Sequence, residues 1–429
     1  MSETATRKFG PVVLEPGFSP ANAGTYIFAA FVTVGLLAFV SFIMTFLLNA
    51  NLRIPQDEQG TTLGQLGFYN EIVALLLVTP IGALADKFGR RPVYVLGFLW
   101  LAVGFCLYPM ARNFNQLLAC ALFFSVGVAA VGCMMSTILA DTPREDSRGP
   151  FVGITGFVQG IGVVVVAILW LGSLPKKFVS EGMDASQAAQ RTLYYAAGLC
   201  VLTALACFVG LKKGTPSRLS AQMPLRTIIA QGITAARSNP VIWFGCMLNF
   251  AAFADRIIIG TFFSNRLQAS LVASGVSPTD ALDKARRPIL IANASGLVFA
   301  IVFGLMLRRM DRITAGVIAM LVASIGYLAG GFVGDPRSAS IMPVALVLGL
   351  GQVAAIVSSQ VVLGREAPIA VRGAVFGLAS VAASLGILFT NGLGGWLYDH
   401  AGHGAPFFLI GAINFCIMGF GVYLMRQRR

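Results

Sequence analysis

Three ionisable side chains stand where charge is expensive: Glu71, Asp255 and Arg256 each lie well inside a long apolar stretch of the chain. Placing such a group in hydrocarbon costs on the order of a few kcal/mol, so each must face protein or a wet cavity. A carboxyl held there can take up and release a proton, tuned by desolvation and by a neighbouring cation. A guanidinium there offers a planar fork to a carboxylate or phosphate on a solute. The competing reading for all three is a static ion pair or gate that locks helices together. On a helix, Asn249, Phe253 and Arg256 fall on one face, an amide beside a guanidinium, while Asp255 points about 100° away. Tyr69 and Asn70 precede Glu71, which should sit somewhat outside the midplane, at a depth similar to Asp255 and Arg256.

The elements that carry these residues are membrane spans. Of the 429 residues 56% are hydrophobic and only 11% charged, with mean hydropathy +0.78, too little charged surface for a soluble chain of this size. Twelve apolar runs of spanning length occupy 25–49, 63–86, 91–110, 115–140, 150–173, 193–211, 240–263, 288–307, 313–333, 340–363, 374–397 and 405–425. Basic residues such as Lys87, Arg90, Arg91, Arg144, Arg148, Arg218, Arg308, Arg312, Arg428 and Arg429 gather at the termini and even-numbered connections. The positive-inside rule therefore puts both termini in the cytoplasm, and short loops favour a bacterial inner membrane. The net charge of +13 reads as orientation signal and lipid-headgroup contact, with no nucleic-acid partner. The polar stretch 1–23 and the long run after it do not fit a cleavable signal peptide.

Enzyme chemistry has little to stand on. The two histidines, His400 and His403, lie beside Asp399 in a connection, where they read as loop residues rather than metal ligands. No phosphate-cradling glycine loop, metalloprotease motif or Cys/His cluster occurs, so no cofactor and no metal are expected. Seven cysteines in apolar runs read as buried free thiols.

The chain also repeats. Gly82-Ala-Leu-Ala-Asp86-Lys-Phe-Gly89-Arg90-Arg91 follows the second span, and Gly304-Leu-Met-Leu-Arg308-Arg309-Met-Asp311-Arg312 follows the eighth, 222 residues on. Arg148-Gly149 with Gly153 opens the fifth span, and Arg372-Gly373 with Gly377 opens the eleventh, 224 residues on. Two patterns recurring at nearly one offset imply two six-helix halves. The expected divisions are a cytoplasmic segment 1–23, bundles at 24–211 and 240–429, and a linker at 212–239. Within the linker, Leu225, Ile228, Ile229, Ile233 and Ala236 behind Pro224 predict an amphipathic helix on the inner leaflet.

The segment from Gly82 to Arg91 resembles the loop signature of the major facilitator superfamily, and with the repeat and the span count the resemblance covers essentially the whole chain. It implies an all-α membrane protein of two pseudo-symmetric six-helix bundles, working as a monomeric transporter of a small solute by alternating access. It implies a cytoplasmic latch of Gly82, Asp86, Gly89, Arg90 and Arg91 facing the eleventh helix at Arg372. It places the cavity among spans one, four, seven and ten, which favours Ser41, Asn249 and Gln352 as solute contacts. The fourth span carries Phe123 where proton-driven antiporters of the family often carry Arg, and Ile161 replaces an expected Pro in the fifth. The stripe Gly153, Gly156, Gly160 and Gly162 then reads as a packing face. The favoured function is proton-coupled transport of a small amphipathic organic solute through Asp255 or Glu71. The alternative is uncoupled or exchange transport of an organic anion anchored by Arg256, with a non-transporting receptor on the same fold behind it.

Overall fold

The computed structural model describes residues 7–214, 225–307, 309–333, 338–368 and 371–427. Pro224, Arg218, Arg308, Arg428 and Arg429, named above, lie outside them. Thirteen long helices dominate the described chain. Twelve have the length and hydropathy to cross a membrane: α1 (Pro20–Leu52), α2 (Gln59–Phe88), α3 (Arg90–Met110), α4 (Phe114–Asp141), α5 (Glu145–Ser180), α6 (Ala185–Gly210), α8 (Pro240–Ala273), α9 (Pro278–Met306), α10 (Arg312–Phe332), α11 (Ile341–Glu366), α12 (Arg372–His400) and α13 (Ala405–Gln427). The thirteenth, α7 (Leu225–Ser238), is the linker helix. In hydrocarbon every backbone amide must be satisfied within the helix, which is why apolar runs of this length settle into nothing else. The helices outrun the apolar stretches because their ends are capped by side chains: Ser19 with Asn22 at α1, Asn113 at α4, Asp184 at α6 and Asp311 at α10. The eighth span accordingly begins at Pro278, ten residues before its apolar stretch, in polar turns that include an Arg286–Asp283 ion pair of 3.1 Å.

The chain divides into two compact units, Met1–Arg53 with Tyr69–Ser220, and Ile54–Phe68 with Ala221–Arg429. The first turns of α2 thus belong with the second unit and the rest of that helix with the first. In unit one α3 packs on α4 and α6, and α1 on α5 and α6. In unit two the corresponding spans make the same pairs, α10 on α11 and α13, and α8 on α12 and α13. The repeat in sequence is therefore a repeat of helix pairing.

Four features depart from the sequence expectations. Residues Lys8–Phe9 (β1) and Val12–Val13 (β2) form a short antiparallel hairpin ahead of α1. In the α5 stripe Gly162 packs closely against the backbone of Phe31, while Gly153 and Gly156 border open space. Their missing Cβ atoms leave a thinned flank rather than a helix contact. The linker helix turns its apolar side to unit two: Ala235 and Ala236 sit in a core cluster with Ile242, Leu363, Val375 and Leu378. A Cβ on Gly232 would strike Ala374 and Leu378, so the helix docks by close approach to α12. All seven cysteines are free, but only Cys200, Cys207 and Cys246 are buried and Cys416 is exposed.

Candidate functional site

Asp255 and Arg256 are chain neighbours with opposite environments. They lie where α8 passes from α-helical to π-helical hydrogen bonding, in the turn before Ile258–Phe263. The amide of Ile258 is shared between the carbonyls of Ala254 and Asp255, and the Tyr327 hydroxyl on α10 donates to the Asp255 carbonyl at 3.1 Å. Such widened turns tend to accompany functional positions, because they re-aim side chains that a regular helix would place elsewhere. The Asp255 carboxyl points into the bundle with no exposed surface, where Asn414 on α13 donates Nδ2–H to its Oδ1 at 3.0 Å. Among the described residues its Oδ2 and the Asn414 Oδ1 have no partner. Arg256, one position on, is exposed, and no hydrogen bond or ion pair engages it among the described residues.

Asn249 shares the helical angle of Arg256 but not its surroundings. It is 5% exposed, donates to the Ala379 carbonyl at 2.7 Å and accepts from the Ser359 hydroxyl at 3.2 Å. The amide thereby ties α8 to α11 and α12. The incompletely covered stripe of α8 is instead Trp243, Met247, Phe250, Phe253, Arg256 and Gly260. Phe250 stacks obliquely on Phe389 of α12, with centroids 6.0 Å apart. An exposed guanidinium at one point of a mainly aromatic and apolar stripe suits a solute with one anionic group and an apolar body.

The remaining candidates are spread over both units. Ser41 on α1 and Gln352 on α11 are half-buried. On α2, Tyr69 is 43% exposed and Glu71 half-buried and engaged, while Asn70 accepts a hydrogen bond of 2.7 Å from Ser125 on α4.

The segment from Gly82 to Arg91 is organised around Arg90, whose guanidinium bonds Asp86 and also reaches Asp141 at the end of α4, 3.2 Å away. Gly89 holds φ +95°, and a Cβ there would meet the Gly214 carbonyl, so the turn from α2 into α3 requires glycine. Gly82 is half-buried one helical turn before Asp86. Arg91 is buried with its guanidinium 4.3 Å from the Phe208 ring. Arg372, at the start of α12, is exposed and reaches the Gly364 carbonyl at 3.5 Å.

Sequence reasoning missed three participants. Asp141 stands at the end of a span, where it reads as loop charge. Its counterpart Glu366 ends α11 and binds Arg312 at 2.5 Å, so each unit pairs an arginine opening its third span with an acid closing its fourth. The offset that relates Gly82 to Gly304 also relates Arg90 to Arg312, and that was the available signal. Arg266 is 8% exposed and donates to the carbonyls of Gly330 and Val333. It lay beyond the expected end of the seventh span, which runs ten residues further.

The family model described as Major Facilitator Superfamily matches residues 27–282 and 288–429. Magnetosome protein MamH of Paramagnetospirillum magneticum is 24% identical over 94% of this chain and 92% of its own length. Magnetosome protein MamZ of the same organism is 24% identical over 92% of this chain, which spans only 61% of MamZ. Among solved structures, the nucleoside transporter NupG superposes with TM-score 0.71 at 14% identity, over 94% of this chain and 98% of that one. The D-xylose-proton symporter does so with TM-score 0.70 at 18% identity, over 94% and 96%. At these identities the structural likeness is one of fold.

Proposed function

Because the chain belongs to the major facilitator superfamily, we propose that it moves a small amphipathic organic anion across the membrane by alternating access, with Arg256 as the anchor for the anionic group. The observation that carries this reading is the exposed guanidinium of Arg256, which lies on a membrane span and has no hydrogen bond or ion pair among the described residues. A cation at that depth with neither an ion pair nor a hydrogen bond is stabilised by water or by a ligand, and a solute anion supplies the missing partner. Gln352, half-buried in the same unit as Arg256, is the amide available to orient the rest of the solute.

Flux of a panel of organic anions into proteoliposomes tests this. Arg256→Ala should abolish uptake, and Arg256→Lys should retain part of it with a raised KM, since an ammonium replaces a bidentate fork by a point charge. Full flux in Arg256→Ala removes the anchor from this residue.

A second reading, coupling to protons through Asp255 or Glu71, is favoured by the Asp255 Oδ2 that has no partner among the described residues. A pH dye inside the same vesicles separates the two. Solute-driven proton movement lost in Asp255→Asn or Glu71→Gln establishes coupling, whereas flux without proton movement leaves both carboxyls structural.

A further inference from the structure

Where the start of α2 packs on α12, inside unit two, one glycine is left bare. Gly64 and Gly67 are used for close approach: a Cβ on the first would strike Asn391 and Gly395, and one on the second the Asn391 amide. Gly392 is different. It is exposed, and among the described residues an added Cβ would meet only the Phe68 ring, at 3.4 and 3.6 Å. That is ordinary van der Waals distance. The neighbouring glycines hold the helices together, so the space at Gly392 comes from a missing side chain rather than from parted helices. Phe389, one turn back on the same face of α12, is 37% exposed. Its ring is steadied by Phe250, with centroids 6.0 Å apart. The notch thus has bare helix backbone as its floor and the rings of Phe68 and Phe389 beside it.

Arg256 stands level with this notch. Two contacts between α8 and α12 bracket it: a Cβ on Gly386 would strike the Phe250 backbone, and one on Gly394 would rest 3.4 Å from the Phe262 ring. Through these contacts the two helices run in the same direction. The middle of the interval on α8 is Arg256, and it lies at the height of Phe389 to Gly392. Arg256 also shares its helical angle with Asn249, whose amide donates to the Ala379 carbonyl of α12. The guanidinium therefore leaves α8 on the side that meets α12.

We propose that Gly392, with the rings of Phe68 and Phe389, seats a flat aromatic ring of the solute, so that the solute is an aryl carboxylate. The proposal rests on the reading of Arg256 as anchor and narrows the amphipathic anion to one whose planar ring adjoins its carboxylate. A planar ring lies flat on a backbone that carries no Cβ, and a puckered saturated ring does not. Offset or edge-on contact with two phenyl rings adds a factor of about three to ten in affinity beyond the area buried.

Saturation-transfer NMR titration of the full-length protein in lipid nanodiscs, with protein-free discs as blank, tests it using benzoate and cyclohexanecarboxylate. Benzoate should bind about threefold to tenfold more tightly. Gly392→Ala, whose new methyl has room against Phe68, should weaken benzoate by about threefold or more. It should leave cyclohexanecarboxylate, too thick for the seat, unchanged. Phe389→Leu should erase the preference between the two acids, and Arg256→Ala should remove binding of both. Equal affinities in the wild type, with both lost in Arg256→Ala, overturn the aromatic seat and leave the anchor standing. A preference that survives in Gly392→Ala and in Phe389→Leu overturns the seat as well. Binding of neither acid, or binding that Arg256→Ala does not change, overturns the anchor and this proposal with it. Gly392→Ala keeps every close glycine contact of α12, so the test stands even where Phe389→Leu fails to fold.

Discussion

Asn414 gives the Asp255 carboxyl its hydrogen bond inside unit two, and among the described residues the second oxygen of that carboxyl is left without one. A buried polar pair of this kind is costly to break from one side and cheap to remove entirely, because the lone survivor keeps its desolvation penalty. Asn414→Leu should therefore destabilise by about 2–4 kcal/mol, read by unfolding in mixed micelles. The double variant Asp255→Leu/Asn414→Leu should recover most of that loss. Its transport then decides between the two readings: retained solute flux with proton movement intact would exclude Asp255 as the coupling group. The sequence named Asp255 and Arg256 because charges in apolar runs stand out. It also placed their side chains about 100° apart. It did not tell which of them turns inward, since that depends on Asn414 and Tyr327, polar residues that look like ordinary interhelical contacts until α10 and α13 are packed. Asn249 shows the same limit, its helical angle being legible and its engagement by Ser359 and Ala379 not.

Ahead of α1, the hairpin of β1 and β2 extends its pairing to the connection between α4 and α5. Arg144 N–H donates to the Val13 carbonyl and Glu15 N–H to that of Thr142, both at 3.0 Å. The Val13 amide donates to the Ser147 hydroxyl at 3.1 Å. Val12 and Leu14 are 0% and 3% exposed, so the hairpin is anchored by burial as well as by pairing. Thr142 directly follows Asp141, the acid that Arg90 reaches, so the hairpin fixes the stretch of chain presenting that acid. Removing residues 2–14 should raise amide exchange at Arg144 by about tenfold or more. It should also erase the stability effect of Asp141→Asn, as a double-mutant cycle would show. An unchanged cycle would mean that α4 alone positions Asp141. Two-residue strands carry no readable alternation, and their partner lies about 130 residues away (Val13 to Ser147 is 134), which is why an N-terminal segment read as polar overhang is structured. The spans were legible for the opposite reason: twenty apolar residues satisfy their own backbone and need no distant partner.

Across the whole chain the repeat extends to charge. Arg90 with Asp141 in unit one corresponds to Arg312 with Glu366 in unit two, and the glycine signature that led to the first pair is degraded in the second half. The two pairs differ in exposure: the Asp141 side chain is 36% exposed and that of Glu366 only 8%. Glu366 is further held by Asn239, whose Nδ2 donates to Oε2 at 2.6 Å. Asn239 also caps the start of α8, which links this pair to the span carrying Arg256. An exposed pair is worth about 1 kcal/mol or less, whereas removing one member of a buried, hydrogen-bonded pair costs about 3 kcal/mol or more. Glu366→Ala should accordingly destabilise by about 3 kcal/mol and Asp141→Ala by no more than about 1 kcal/mol. Because the pairs belong to different units, the double variant should equal the sum within about 0.5 kcal/mol. Unfolding in mixed micelles, scored separately by fluorescence of probes in each unit, checks both statements. A deficit concentrated in the unit that carries the substitution would show two folding units joined by a linker. A large coupling energy would instead mean that the repeat folds as one body, and that a charge change at one arginine is felt at the other.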